Sequence, residues 1–276
     1  MMKSILSFEN TLNEFYNSRH SQTAADSVFM SCMRNDVEFN QFIADLNDNK
    51  VFALDEFLIA ESGTLNNFVS PAYRSLVRPL IDVTPGGNGG MASVGRGEFI
   101  VELFSNFVVT PSKSGCGDYS TPTGNEEVKF NGGKIGFSDC QGKEVNNILN
   151  SILKEIGYTL KTKNFVPFRK IDRKVYTNDE IEALNGYYWK AMTGENVGSL
   201  SDDEFKMMFL SRSFDKVFSV SDSIIVFDES GEFVRFFNTE DAVDYYSTRL
   251  EDVKLECRAK QSNPVTTYLF CHSSIV

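Results

Sequence analysis

Apolar residues recur along this 276-residue chain with two periods, and the switches between them mark out its elements. Up to about residue 80 the period is helical. Phe8, Leu12, Phe15 and Tyr16 share one helix face, and Val37, Ile43 and Leu46 follow the same spacing more loosely. Pro71 and Pro79 punctuate the end of that region. Residues 84–97, TPGGNGGMASVGRG, are too rich in glycine for a regular element and set a boundary near residue 85. From Glu98 a helix is expected again, with Phe99, Leu103 and Phe107 at i, i+4 and i+8 until Pro111 stops it.

The period then shortens to two. Residues 117–121 and 126–131 read as strands joined by the turn chemistry of 122–125. Residues 143–156 return to helical spacing, with Val145, Ile148, Leu149, Ile152 and Ile156 as the apolar stripe and Gly157 to end it. A helix-rich insertion is expected around 160–213. Strands follow at 216–228 and 232–237, linked by the turn residues 229–231. A helix over 239–250 carries Glu240 and Asp241 in its first turn, where the dipole favours acids. A last strand pair, 253–260 and 265–270, straddles Ser262, Asn263 and Pro264. The expected fold class is α/β: a mixed sheet flanked by helices over 86–276, preceded by an N-terminal helical region over 1–85.

Charge narrows the functions open to such a chain. A net charge of −11 and a pI near 4.8 argue against a protein that coats nucleic acid through a general positive field. They leave room for a local basic patch, and clustered carboxylates are what a hard metal ion needs. The five cysteines (Cys32, Cys116, Cys140, Cys257 and Cys271) make no CxxC pair, and His20 and His272 are the only histidines. A Cys/His metal site is therefore not expected; reduced thiols in the cytoplasm are. No apolar run reaches the length of a membrane span, and charge enters too early for a signal peptide, so no membrane partner is expected. Residues 86–90 lack the pattern of a phosphate-binding loop.

The chemistry concentrates in Glu126-Glu127-Val128-Lys129-Phe130. Strand alternation puts Val128 and Phe130 on one face and Glu127 and Lys129 on the other. Asp118 lies nine positions before Glu127 across a Pro/Gly turn, so a hairpin brings the two carboxylates together. Such a pair can hold Mg²⁺ and leave positions for water and a phosphate, while Lys129 holds the phosphate and orients the attacking water. Asp118 also has an ordinary reading as a turn cap, and Glu127 with Lys129 as a solvated strand face.

Gly117-Asp118 followed by Glu127-Val128-Lys129 resembles the PD-(D/E)xK nuclease superfamily, and the order G-x-GE, GD, E-V-K, GGK is similar to its phage-type members. The likeness covers residues 95–156. It implies a restriction-endonuclease-like core, Mg²⁺ as cofactor with Mn²⁺ as a substitute, and DNA as substrate. It adds Glu98, in Gly95-Arg96-Gly97-Glu98, as a third metal ligand beside Asp118 and Glu127, with Lys129 completing the catalytic set. Glu98 has a second reading as a first-turn glutamate, and Glu102 one turn on is the alternative for its role. The naming proline is replaced by Gly117, and no QxxxY follows, since Gln141 precedes Val145; an endonuclease is favoured over an exonuclease.

Lys161, Lys163, Arg169, Lys170, Arg173 and Lys174 gather six of the 27 Lys and Arg into one short stretch, with Asp172 alone against them. With Lys134 they are the expected nucleic-acid contacts. The leading expectation is thus a Mg²⁺-dependent DNA endonuclease of phage or mobile-element origin, acting in the (host) cytoplasm. The alternative is a structural or virion-assembly protein that keeps the fold without catalysis, with a second copy or an assembly component as partner.

Overall fold

The computed structural model describes residues 36–83, 101, 104–105, 118–138, 140–260 and 264–271. The helical expectations over 1–35 and the glycine-rich boundary lie outside them. The chain divides into two compact units. Unit 1 comprises Met1–Gly133, Phe218–Phe237 and Phe270–Val276; unit 2 comprises Lys134–Val217 and Asn238–Leu269.

Unit 1 opens with helices α1 (Asp36–Asn47) and α2 (Leu54–Ile59), strand β1 (Ser62–Thr64), and helices α3 (Leu65–Phe68) and α4 (Arg74–Val83). Helix α4 continues past Pro79, where the sequence reading had a stop. Strands β2 (Tyr119–Thr121) and β3 (Gly124–Phe130) follow, and β5 (Ser223–Phe227) and β6 (Glu232–Phe236) return much later in the chain. Together they form a five-stranded mixed sheet in the order β1-β6-β5-β3-β2. Only β3 and β5 among these neighbours run parallel, with Glu126 opposite Ser223 and Phe130 opposite Phe227. The core is aromatic. Phe42, Phe52, Phe57, Phe104 and Phe233 are buried with Val128 and Ile225, and Phe57 meets Phe233 edge-on at 5.2 Å between ring centroids. Of the helix expected from Glu98, Val101, Phe104 and Ser105 are described; all three are buried, Val101 and Phe104 in this core.

Unit 2 carries β4 (Gly133–Ile135, beginning at the unit boundary), α5 (Gly142–Glu155), α6 (Lys170–Val175), α7 (Asn178–Thr193), α8 (Asp202–Phe218), α9 (Thr239–Ser247), β7 (Val253–Cys257) and β8 (Val265–Leu269). Its sheet has the order β4-β8-β7. Helix α5 starts on a capping box between Gln141 and Glu144. Its buried face is Val145, Leu149 and Leu153, whereas Ile148 and Ile156 of the expected stripe stand at the surface. Successive helical residues are about 100° apart, so the neighbouring stripe faces water. Helix α7 begins on a second capping box, Thr177 with Glu180, and ends on Gly194 at φ +83°. The expected strand 216–228 begins only at Ser223. Phe205, Phe209 and Phe214 hold a helical period that carries α8 through to Phe218. No helix among the described residues is long and apolar enough to cross a membrane.

Candidate functional site

The β2–β3 hairpin sets the frame. Tyr119 faces Glu126, Ser120 faces Asn125 and Thr121 faces Gly124 in antiparallel register. At the turn Gly124 has φ +146°, and a Cβ there would strike the Asp222 carboxylate. Asp222 fixes this end of β3 from both directions. Its Oδ2 accepts from Asn125 N at 2.8 Å, and its own N–H donates to Asn125 O at 2.7 Å. The start of β5 and the start of β3 are thereby pinned to each other.

On one face of β3 the three sequence candidates converge. Asp118 Oδ2 accepts the Val128 N–H at 2.7 Å, so a side chain from the head of β2 takes a backbone donor of the neighbouring strand. Lys129 reaches the same Asp118 oxygen at 3.4 Å, pairs directly with Glu127 Oε1, and donates to Val128 O at 3.1 Å. The three side chains are 28%, 22% and 14% exposed for Asp118, Glu127 and Lys129, so water reaches the cluster without flooding it. Gly133 lies against the Lys129 stem: a Cβ there would sit 2.8 Å from Lys129 Cβ and 3.0 Å from Phe130 O. The second glycine of the GGK piece is what lets the chain close over this lysine.

The opposite face of β3 holds a pair that the sequence reading did not single out. Glu126 and Arg235 of β6 are both almost fully buried. Arg235 Nε donates to Glu126 Oε1 at 2.5 Å and Nη2 to Oε2 at 3.3 Å, while Ser223 Oγ donates to Oε1 at 2.8 Å. The remaining guanidinium edge caps α2, donating to Phe57 O and, at 2.8 Å, to Ala60 O. The guanidinium also lies 4.4 Å from the Phe57 ring centroid. A buried charge needs this much satisfaction to persist. The signal was present in the alternation, which puts Glu126 on the same face as Val128.

Two carboxylates, one at the head of β2 and one on β3, with an ammonium between them can hold a hard cation. Mg²⁺ is commonly bound by one or two carboxylates, with water and phosphate in its other positions, and the donor set Asp118–Glu127 fits that pattern. Among the described residues no group of three or more His, Cys, Asp or Glu is placed to hold a metal. Glu98, the third expected ligand, and its alternative Glu102 lie outside the described residues.

The basic stretch belongs to unit 2, and half of it is engaged. Arg169 donates to Asp172 through Nε (2.6 Å) and Nη2 (2.9 Å), and the buried Asp172 carboxylate also accepts from Thr162 Oγ1 at 2.9 Å. Lys161 pairs with Glu180 at 2.6 Å and holds that carboxyl below its usual range. Arg173 pairs with Asp202. These last two acids come from α7 and α8, so the local charge count, which saw Asp172 alone, missed them. Lys163, Lys170 and Lys174 are exposed, and so is Lys134 on β4. A scan against family models, a search of curated proteins and a search of solved structures each returned no match for the chain.

Proposed function

We propose that this chain hydrolyses phosphodiester bonds in DNA with a divalent metal ion, as an endonuclease of the PD-(D/E)xK type built on a restriction-endonuclease-like core. The observation that carries the reading is the convergence of Asp118, Glu127 and Lys129 at one partly exposed point of a β-hairpin. Asp118 and Glu127 present the oxygen ligands for Mg²⁺ or Mn²⁺, joined by Glu98. When bound, the metal supplies positive charge opposite the scissile phosphate and lowers the pKa of a water beside it. Lys129 then has its own work: its ammonium turns from the carboxylates to a non-bridging phosphate oxygen and orients the attacking water. Lys134, Lys161, Lys163, Arg169, Lys170, Arg173 and Lys174 remain the proposed backbone contacts, the unengaged ones first. A phage or mobile-element origin and a cytoplasmic site of action belong to the same proposal.

A second reading draws on the same contacts. Both carboxylates already have a partner in Lys129, which is how an ion cluster that only stiffens a hairpin is built. A structural or virion-assembly protein would keep such a cluster without catalysis. Incubation of the full chain with supercoiled and linear DNA separates the two. Nicked or linear products in Mg²⁺, none in EDTA, and none from Asp118→Asn or Glu127→Gln are the expected results. Intact DNA in all wild-type lanes, with Mn²⁺ tried as well, would leave the assembly reading.

A further inference from the structure

The three-stranded sheet of unit 2 buries one face and opens the other. Val253 and Leu255 of β7, Val265, Thr267 and Leu269 of β8 and Ile135 of β4 point into the core. By strand alternation Lys254, Glu256, Thr266, Tyr268 and Lys134 point the other way, and both lysines are exposed. Because β8 is the middle strand, Tyr268 stands between a lysine from each neighbour. Lys134 Nζ is 5.4 Å and Lys254 Nζ 5.8 Å from the Tyr268 ring centroid, and Lys254 is its direct cross-strand partner. Neither lysine forms an ion pair among the described residues. Arg258 and Lys260, both exposed, continue the positive edge just past the end of β7. Glu256 is the acid on this face, and it is already engaged: it accepts from the Tyr268 hydroxyl at 2.6 Å and pairs with Arg258 at 2.7 Å.

In a chain of net charge −11, two lysines over one aromatic ring, with Arg258 on the neighbouring carboxylate and Lys260 exposed just beyond, form a local reversal of sign. We infer that this face holds single-stranded nucleic acid, with a base stacked on Tyr268 and the flanking phosphates on Lys134, Lys254 and Arg258. The cations fit a polyanion, and the ring distinguishes a nucleic acid from a bare one, since every base offers a π-face to an aromatic. A base can stack on an aromatic of an open sheet face only when it is unpaired and free of its own duplex stack, so the ring favours a single strand. An incoming base displaces one ammonium from the ring, and that ammonium is left beside the nucleotide's own phosphate. The Tyr268–Glu256 hydrogen bond fixes the ring in place. The inference deepens the proposed function by naming the strand the chain holds, and it rests on that reading only for the choice of partner class.

The test is fluorescence anisotropy of a labelled oligothymidylate with the full chain, in EDTA and at low salt. Tyr268→Ala should weaken binding about 5- to 150-fold, the range for loss of one stacked base. Tyr268→Phe keeps the ring and should bind within about twofold of wild type by the same reasoning. Lys134→Glu with Lys254→Glu should flatten the salt dependence by about 1.4 log units per log unit of salt, at roughly 0.7 per phosphate contact. All three are surface positions, and circular dichroism checks that each variant is folded. No wild-type binding, unchanged binding by Tyr268→Ala, or stronger competition from duplex than from single strand would each overturn the inference. Cleavage is scored separately with Mg²⁺. A chain that binds the strand but never cuts fails the catalytic reading alone; one that cuts while Tyr268→Ala binds normally fails this inference alone.

Discussion

Lys129 has three acceptors within reach, Asp118, Glu127 and the Val128 carbonyl, and its two carboxylate contacts compete with any cation that enters. Lys129→Ala is therefore expected to split binding from chemistry. Calorimetric titration with Mn²⁺ should show affinity kept or raised, because a positive charge has left the site, while the cleavage rate falls about 10²- to 10⁴-fold. A variant cutting at the wild-type rate would move the chemistry off this strand. Glu126 and Arg235 make the contrasting case, since their roles are structural. Either Glu126→Leu or Arg235→Met should cost about 3–5 kcal/mol by urea unfolding, because each leaves a buried charge without its partner. The double variant Glu126→Leu/Arg235→Met should recover much of that loss but not all of it, because the carbonyls of Phe57 and Ala60 lose their donor. Additive losses in the double variant would mean that the two side chains act separately. This pair was half legible in the sequence. Alternation puts Glu126 among core positions, but its partner lies 109 residues away, and no local pattern reports that distance.

At the scale of elements, the hairpin and its cluster were the most legible part. Pro122-Thr-Gly-Asn125 specifies a tight turn, and a period of two then decides which side chains share a face. Asp118, Glu127 and Lys129 meet as that logic requires. Helix α5 was legible in extent and in part of its buried face: Val145 and Leu149 are buried and Ile152 packs against the core, but the adjoining stripes Val145-Leu149-Leu153 and Ile148-Ile152-Ile156 left Leu153 and the two exposed isoleucines unresolved. Packing partners alone choose between them. The start of β5 was misread for a related reason: Val217 and Phe218 suit a strand as well as a helix, and the phenylalanine period of α8 claims them. Gly133 yields a prediction at this scale. An alanine there places its Cβ 2.8 Å from Lys129 Cβ, closer than real Cβ atoms come, and 3.0 Å from Phe130 O, so the Lys129 stem must shift. Gly133→Ala should cost about 1–3 kcal/mol of stability. It should also reduce cleavage while leaving the far-UV spectrum unchanged; full activity would mean that the lysine's position is not set from β4.

At the scale of the molecule, one core cluster is built from residues of unit 1 and another from residues of unit 2 among the described residues. The single tryptophan, Trp189, is buried in the core of unit 2, so its emission reports that unit alone. In sequence, unit 2 is interrupted by one 20-residue excursion, 218–237, and the entropic cost of a loop grows only slowly with its length. Arg235→Met should therefore lower the far-UV unfolding midpoint and leave the Trp189 midpoint in place. A parallel shift of both would show that the units melt together.

The parallel pairing of β3 with β5 also has a consequence for synthesis. Glu126 and its neighbour Ser223 are 97 positions apart. At about 5–20 residues per second, a ribosome needs roughly 5–20 s to deliver the second strand after the first. For that interval the hairpin bearing Asp118, Glu127 and Lys129 has an open edge, and the helices of unit 2 are made in the gap. Nascent chains halted before Ser223 should thus be the ones that chaperones hold longest, and the hairpin should gain its contacts to Asp222 and Ser223 only once β5 has emerged.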